Sequence, residues 1–193
     1  VSAVAQNRLG GIKQELATIF IVILSIMDRI YLTMNVTWKE LTVNFQKHAP
    51  DDLLREWHWL VGDSMQLLLV SSLGDMFLAN ANGWVFWLNT GSGQLNQVAR
   101  SAEDFKRLMQ QREIADQWFV PQLVGDLITA GVFLGAGQCY SYKIPPVLGG
   151  RIQPDNFEPT DLVVHFSMLG QIHRQVKDLP PGTRISNIKV GKP

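Results

Sequence analysis

Between Leu67 and Val98 the chain reads LLLVSSLGDMFLANANGWVFWLNTGSGQLNQV, short apolar runs separated by Gly- and Asn-rich breaks. That pattern predicts an antiparallel meander of strands joined by tight connections. Strands are expected at Asp75–Ala79 and Trp84–Asn89, with a weaker one at Gln94–Val98. Asn82-Gly83 suits a turn with positive φ, because Gly has no Cβ to clash and Asn tolerates the left-handed region. Thr90-Gly91-Ser92-Gly93 marks the next reversal. Along the middle strand Trp84, Phe86 and Leu88 fall on one face, with Val85 and Trp87 on the other. Aromatics on both faces predict that both are covered.

The flanking segments carry helical spacing. Trp38–Gln46 reads as a short helix or a strand, since Leu41, Val43 and Phe45 alternate. Pro50-Asp51-Asp52 is a helix start, with acids favoured by the dipole. Leu53, Leu54, Trp57, Leu60 and Val61 then define an amphipathic helix over Asp51–Leu60. Trp57-His58-Trp59 reads as a core tryptophan with a histidine at the rim, or else as a stacking platform. Ser101-Ala102-Glu103-Asp104 resembles a capping box, and Phe105, Leu108 and Met109 follow as a buried stripe. A break is expected around Gln111–Asp116. A second helix follows at Trp118–Ala130, with Pro121 in its first turn and Gly131 as its stop.

From Gly135 the pattern changes again. Cys139–Ile144 can form a strand with Tyr140 and Tyr142 on one face, ended by Pro145-Pro146, which cannot donate to a ladder. Gly149-Gly150 permits a tight reversal, and Arg151–Pro159 reads as a polar loop. Gly149, Gly150 and Gly182, like Gly83, are expected to hold turn conformations that other residues tolerate poorly. Thr160 or Asp161 can cap a helix carrying Leu162, Phe166, Leu169, Ile172 and Val176. A strand at Leu162–Phe166 is the alternative, because Val163-Val164 suits either state. The fold class is α+β: an antiparallel sheet with helices packed against it.

Composition narrows the function classes. The 193 residues hold 17 Lys+Arg against 17 Asp+Glu, so there is no basic footprint for general nucleic-acid binding. One cysteine, Cys139, excludes an internal disulfide framework and fits a reducing, cytoplasmic setting. Residues 1–34 read as an N-terminal extension and residues 35–193 as one domain. Leu16–Met27 is a helical apolar run, shorter than the ~20 residues of a membrane span. Asp28-Arg29 stands where a signal-peptide cleavage site would fall. The run is read as an appendage, with a start at Met34 and a fold that survives its deletion. A packed helix or a membrane anchor are the alternatives.

Specific motifs then point to a family. GQCYSYKIPPVLGG, followed by PDNFEPTDLVVHFSMLGQIHRQVKDLPPGT, resembles the C-terminal domain of bacterial type VI secretion immunity proteins that neutralise DNase effectors. Gly74-Asp75-Met76-Phe77-Leu78 and Trp87-Leu88-Asn89-Thr90-Gly91-Ser92-Gly93 resemble the same family, and the likeness runs from about Thr37 to Val190. Longer relatives carry a GAD-like domain ahead of this one, of which no complete copy is evident, so the resemblance is to a stand-alone form. The meander resembles, more weakly, the SMI1/KNR4-type immunity fold. The resemblance implies a non-enzymatic binding protein without cofactor or metal, whose partner is a cognate toxin, a nuclease, occluded at its active site. It implies neither direct nucleic-acid contact nor a membrane role for the main domain.

Candidate chemistry elsewhere is thin. The histidines are His48, His58, His165 and His173, with no H-x-x-x-H or H-E-x-x-H pair. On one helix His165 and His173 would stand ~12 Å apart along the axis, too far to share a metal. Cys139 has no adjacent cation and reads as a small buried thiol. Asp155, Glu158 and Asp161 could hold a hard cation, but their spacing is nothing like an EF-hand loop. They read instead, with Lys143 and Arg151, as the candidate partner-binding residues. A nuclease cleft must be positive to hold phosphates, and a carboxylate cluster would complement it. The plainer alternative is a solvated edge with Asp161 as a helix cap. A small-ligand-binding or regulatory domain, or a metal-dependent hydrolase, are the competing functions.

Overall fold

The computed structural model describes residues 36–180 and 182–192. The expectations for the 1–34 extension and for a helix at Leu16–Met27 lie outside the described residues.

The chain opens with α1 (Trp38–Leu41), boxed by Thr37 and Glu40. Next come α2 (Pro50–Leu54), a 3-10 turn at Arg55–Trp57 and α3 (His58–Val61). The helix expected over Asp51–Leu60 is therefore broken in its middle. The indole Nε1 of Trp57 donates to the main-chain oxygen of Phe166 at 3.0 Å, a bond across the core. Trp57 is fully buried, so it is a core residue and not a stacking platform.

The meander forms as the turn residues dictate. Strands β1 (Gln66–Val70), β2 (Met76–Ala79), β3 (Val85–Asn89) and β4 (Gln94–Ala99) make an antiparallel sheet in the order β1-β2-β3-β4. All four residues of β2 are buried, so both faces are covered there, whereas β4 is largely open and Trp84, just ahead of β3, is 40% exposed. Phe77 on β2 meets Trp87 across the strand pair, and also Phe105, Trp118 and Phe119. The last three lie on α4 (Ala102–Met109) and α5 (Arg112–Phe119).

Two boundaries differ from expectation. Most of the break anticipated at Gln111–Asp116 is helix α5, since Arg112 restarts the helix only two residues past Gln110. The helix anticipated at Trp118–Ala130 is interrupted at Val120, which sits in the left-handed region at φ 42°. Pro121 has no N–H to continue a helix, so it opens α6 (Pro121–Thr129) at the first position. Ser101 caps α4 through Asp104 N, and Gly131 ends the α6 region at φ 78°.

A second, two-stranded sheet pairs β5 (Gln138–Tyr142) with β6 (Phe157–Asp161). The loop expected over Arg151–Pro159 thus ends in a strand, because Phe157 packs on Tyr142 with ring centroids 4.7 Å apart. Asp161 closes β6 and caps α7 (Leu162–Val176), accepting from Val163 N and Val164 N. The long helix begins at Leu162, and the strand alternative there is excluded. Gly170 on α7 lets α2 and the 3-10 turn come close: a Cβ there would meet Glu56 at 2.7 Å. Among the described residues no helix is long and apolar enough to cross a membrane.

Candidate partner-binding site

The region rests on a buried polar brace. Asp75 follows Gly74 at the start of β2, where the turn between β3 and β4 folds over it. Its Oδ1 accepts from Thr90 N at 2.8 Å, and its Oδ2 accepts from Trp87 Nε1 at 3.1 Å and Asn89 Nδ2 at 3.2 Å. Burial nevertheless raises its pKa to about 6, outweighing the lowering by these donors. His165 reaches in from α7, with Nε2 3.1 Å from Gly74 O and Nδ1 2.8 Å from Ser141 Oγ on β5. Burial lowers its pKa to about 4. Two turns further along, His173 Nε2 donates to Thr90 O at 2.9 Å, and its pKa too is lowered by burial.

This chain of Asp75, Thr90, His165 and Ser141 is shut off from solvent. Ser141, Thr90 and His165 have at most 1% exposure and Asp75 has 7%. No substrate reaches it, so what it does is hold the meander, the hairpin and α7 in register. Cys139 is likewise buried, and burial raises its thiol pKa, away from nucleophilic use. Among the described residues no group of three or more His, Cys, Asp or Glu could hold a metal ion.

From that brace the β5–β6 hairpin carries its connecting loop outward. Asn156 organises the loop. Its Oδ1 accepts from Ile144 N at 3.0 Å, and its Nδ2 donates to Ile144 O and Arg151 O, both at 2.8 Å. The carboxamide serves as a surrogate peptide, adding a rung beyond the last strand pair, Tyr142 with Phe157. Lys143 N donates to Asn156 O. Inside the loop Gly149 N donates to Pro146 O, and Leu148 N and Gly150 N to Pro145 O.

The sequence-predicted residues fall around this loop without forming one cluster. Asp155 is exposed in the 3-10 turn Pro154–Asn156, and its main-chain oxygen accepts from Lys143 Nζ at 2.8 Å. Glu158 is exposed on β6 opposite Ser141, and Arg151 is exposed in the loop. Asp161 lies three residues further along β6, opposite Gln138. Strand alternation places it on the other face from Glu158, ~10 Å along the strand. Its carboxylate is occupied in capping α7. Gly83, Gly149 and Gly182 have φ of 79°, 91° and 81°. Gly150 is different: the constraint on it is space, since a Cβ would stand 1.7 Å from Ile144 O.

Sequence reasoning passed over the apolar content of the loop. Ile144 is 55% exposed, Leu148 36% and Ile152 62%, three of the eight large exposed hydrophobics among the described residues. The available signal was IPPVLGGRI itself, where prolines and glycines deny the isoleucines any helix or strand face to bury.

Residues 99–173 match the family model described as "T6SS immunity protein Tdi1, C-terminal". The likeness to type VI secretion immunity proteins is shown over that segment. It takes in α4 to α6, the whole hairpin with its loop, and α7 as far as His173, while β1 to β3 lie ahead of it. No curated protein matches the chain. Among solved structures, the "Crystal structure of Atu4351 from Agrobacterium tumefaciens" is similar in fold. Its TM-score is 0.50 at 20% identity, over 69% of this chain and 68% of that one. Within that segment the hairpin loop carries three of the exposed apolar side chains, beside Phe133 and Val164, and the His165 end of the brace lies buried beneath the hairpin.

Proposed function

We propose that this protein is an immunity protein that binds a secreted bacterial toxin, a type VI DNase effector, and occludes its active site. The match of residues 99–173 to a type VI immunity domain carries the reading. Equal numbers of basic and acidic residues support it against direct nucleic-acid binding, since the chain lacks an overall basic excess. The protein would act in the cytoplasm, where an incoming nuclease meets DNA. Asp155 and Glu158, exposed on and beside the hairpin loop, would face the positive rim of the cleft, with Lys143 and Arg151 pairing at its edge. Asp161 is the least suited of the five, being committed to its helix.

The test is to co-express the protein with the product of the adjacent open reading frame and to assay DNA degradation by the purified complex. Survival of the host, a stable complex and inhibited nuclease activity are expected. Toxicity unaffected by co-expression, together with no complex between the purified proteins, would overturn the reading.

A small-ligand or regulatory role has one observation in its favour. A groove of about 800 Å³ lies between α1 and the segment before β5, lined by Trp38, Val43, Ile128, Phe133 and Tyr140 among others. A small molecule that raised the melting temperature and was displaced by Tyr140→Ala would support that role.

A further inference from the structure

We infer that the β5–β6 loop, residues 143–156, is the wedge that enters the toxin, and that its apolar side chains, more than the acidic residues, carry the affinity. The inference rests on the immunity reading and adds which surface binds and what it meets.

Ile144, Leu148 and Ile152 occupy nine consecutive residues and stand 36–62% exposed. The backbone beneath them is already ordered: the Asn156 carboxamide ties Ile144 to Arg151, and Pro145 and Pro146 accept from Leu148, Gly149 and Gly150. Binding through such a loop loses little conformational entropy, so burying exposed apolar surface turns into affinity efficiently. Desolvated apolar anchors at the centre of a patch, ringed by polar groups, are the usual seat of binding energy.

The ring of charge selects the partner class. Lys143 and Arg151 are balanced by Asp155 and Glu158, all four exposed. Nucleic acid needs an unbalanced basic face, and this loop does not supply one. The occupant is therefore a protein with a concave apolar patch and a mixed polar rim, here the toxin, at a cleft wide enough to admit one turn of chain. The loop lies wholly inside the immunity-family segment, so it belongs to the part of the chain that carries the family likeness.

The experiment measures the affinity of a catalytically inactivated toxin, the product of the adjacent reading frame, for wild type and for the double variant Ile144→Asp/Ile152→Asp. Both replaced side chains are mostly exposed, so the melting temperature should hold. The expected result is a loss of ~100-fold or more in affinity, typical of removing central anchors. If the double variant melts lower than wild type, the single variant Ile152→Ser provides the same readout, with a smaller loss in the same direction. Wild-type affinity in a folded loop variant overturns the inference and leaves the immunity reading standing. Failure of wild type itself to bind or inhibit the toxin brings down that reading, and the inference with it. Sedimentation of the free protein supplies the remaining outcome. A wild-type dimer that becomes monomeric in the variant would make the loop a contact between copies of this chain, and would overturn the toxin assignment.

Discussion

His165 Nε2 lies 3.1 Å from the main-chain oxygen of Gly74, a contact spanning 91 residues of sequence. A carbonyl can only accept, so Nε2 carries the proton and Nδ1 is left to accept from the Ser141 hydroxyl at 2.8 Å. One neutral imidazole thereby joins the meander, the hairpin and α7. Gly74 is shaped to this contact. Its φ is 82°, and a Cβ there would stand 2.1 Å from the imidazole nitrogen.

Two substitutions test the brace. Gly74→Ala combines a left-handed backbone with a displaced imidazole, and should destabilise by at least ~1–3 kcal/mol. His165→Phe keeps bulk but strands Ser141 Oγ in the core and leaves Gly74 O only the Thr90 hydroxyl, at roughly 1–3 kcal/mol for the unpaired group. Urea unfolding of both variants measures the cost. Stabilities equal to wild type would remove the brace from the account of this fold.

The same contacts predict opposed pH dependences. Asp75, raised from its ordinary 3.8 to about 6, takes up its proton more readily folded than unfolded. Its contribution is present below pH 3.8 and is lost as pH rises through about 6. His165, lowered from 6.5 to about 4, favours the unfolded state in acid, so its contribution grows as pH rises from about 4 to 6.5. Each shift amounts to ~3 kcal/mol, so the two nearly cancel in wild type, with His173 adding in the direction of His165. In His165→Gln, stability should lean towards falling between pH 4 and 6, relative to wild type. In Asp75→Asn it should rise over pH 4 to 6.5. Denaturant melts across this range measure both slopes, and identical profiles in the two variants would refute the assignment.

Asn156→Ala removes three side-chain hydrogen bonds from the hairpin loop. The Ile144 amide, whose acceptor is Asn156 Oδ1, should lose its protection in hydrogen exchange while the meander amides keep theirs. The global cost should stay near ~1–2 kcal/mol, because the site is partly open to water. An Ile144 amide as slow as in wild type would mean that the loop is held by something else.

Gly150→Val tests the close approach at the base of the loop. Its Cβ would meet Ile144 O at 1.7 Å, so the backbone must move, at a cost of ~1–3 kcal/mol. A thermal melt unchanged from wild type would count against the tight reversal.

Charge reversal at Asp155 and Glu158, sparing the capping Asp161, separates steering from anchoring. In the double lysine variant toxin association should slow and lose its salt dependence, while the dissociation rate changes little. An association rate and salt slope equal to wild type, in a folded variant, would remove the acids from the interface.

The α+β class, the meander and its turns were legible in the sequence because those features are local. Alternation reports a strand, Asn82-Gly83 and Thr90–Gly93 report reversals, and Ser101, Pro121 and Gly131 report helix ends within a few residues of themselves. Asp155, Glu158, Lys143 and Arg151 are exposed, as charged residues in a polar loop suggest. Tertiary structure decided the rest. The break at Trp57 follows from a bond to Phe166, more than a hundred residues away. Strand β6 exists because Phe157 meets Tyr142 across the hairpin. Asp161 left the acidic group because α7 required its carboxylate. His165 became the centre of a polar brace only when its three sequence-distant partners, Gly74, Thr90 and Ser141, were folded around it. Periodicity and turn chemistry act over a few residues, whereas the partner of a buried polar group is whichever one the closed core brings within reach.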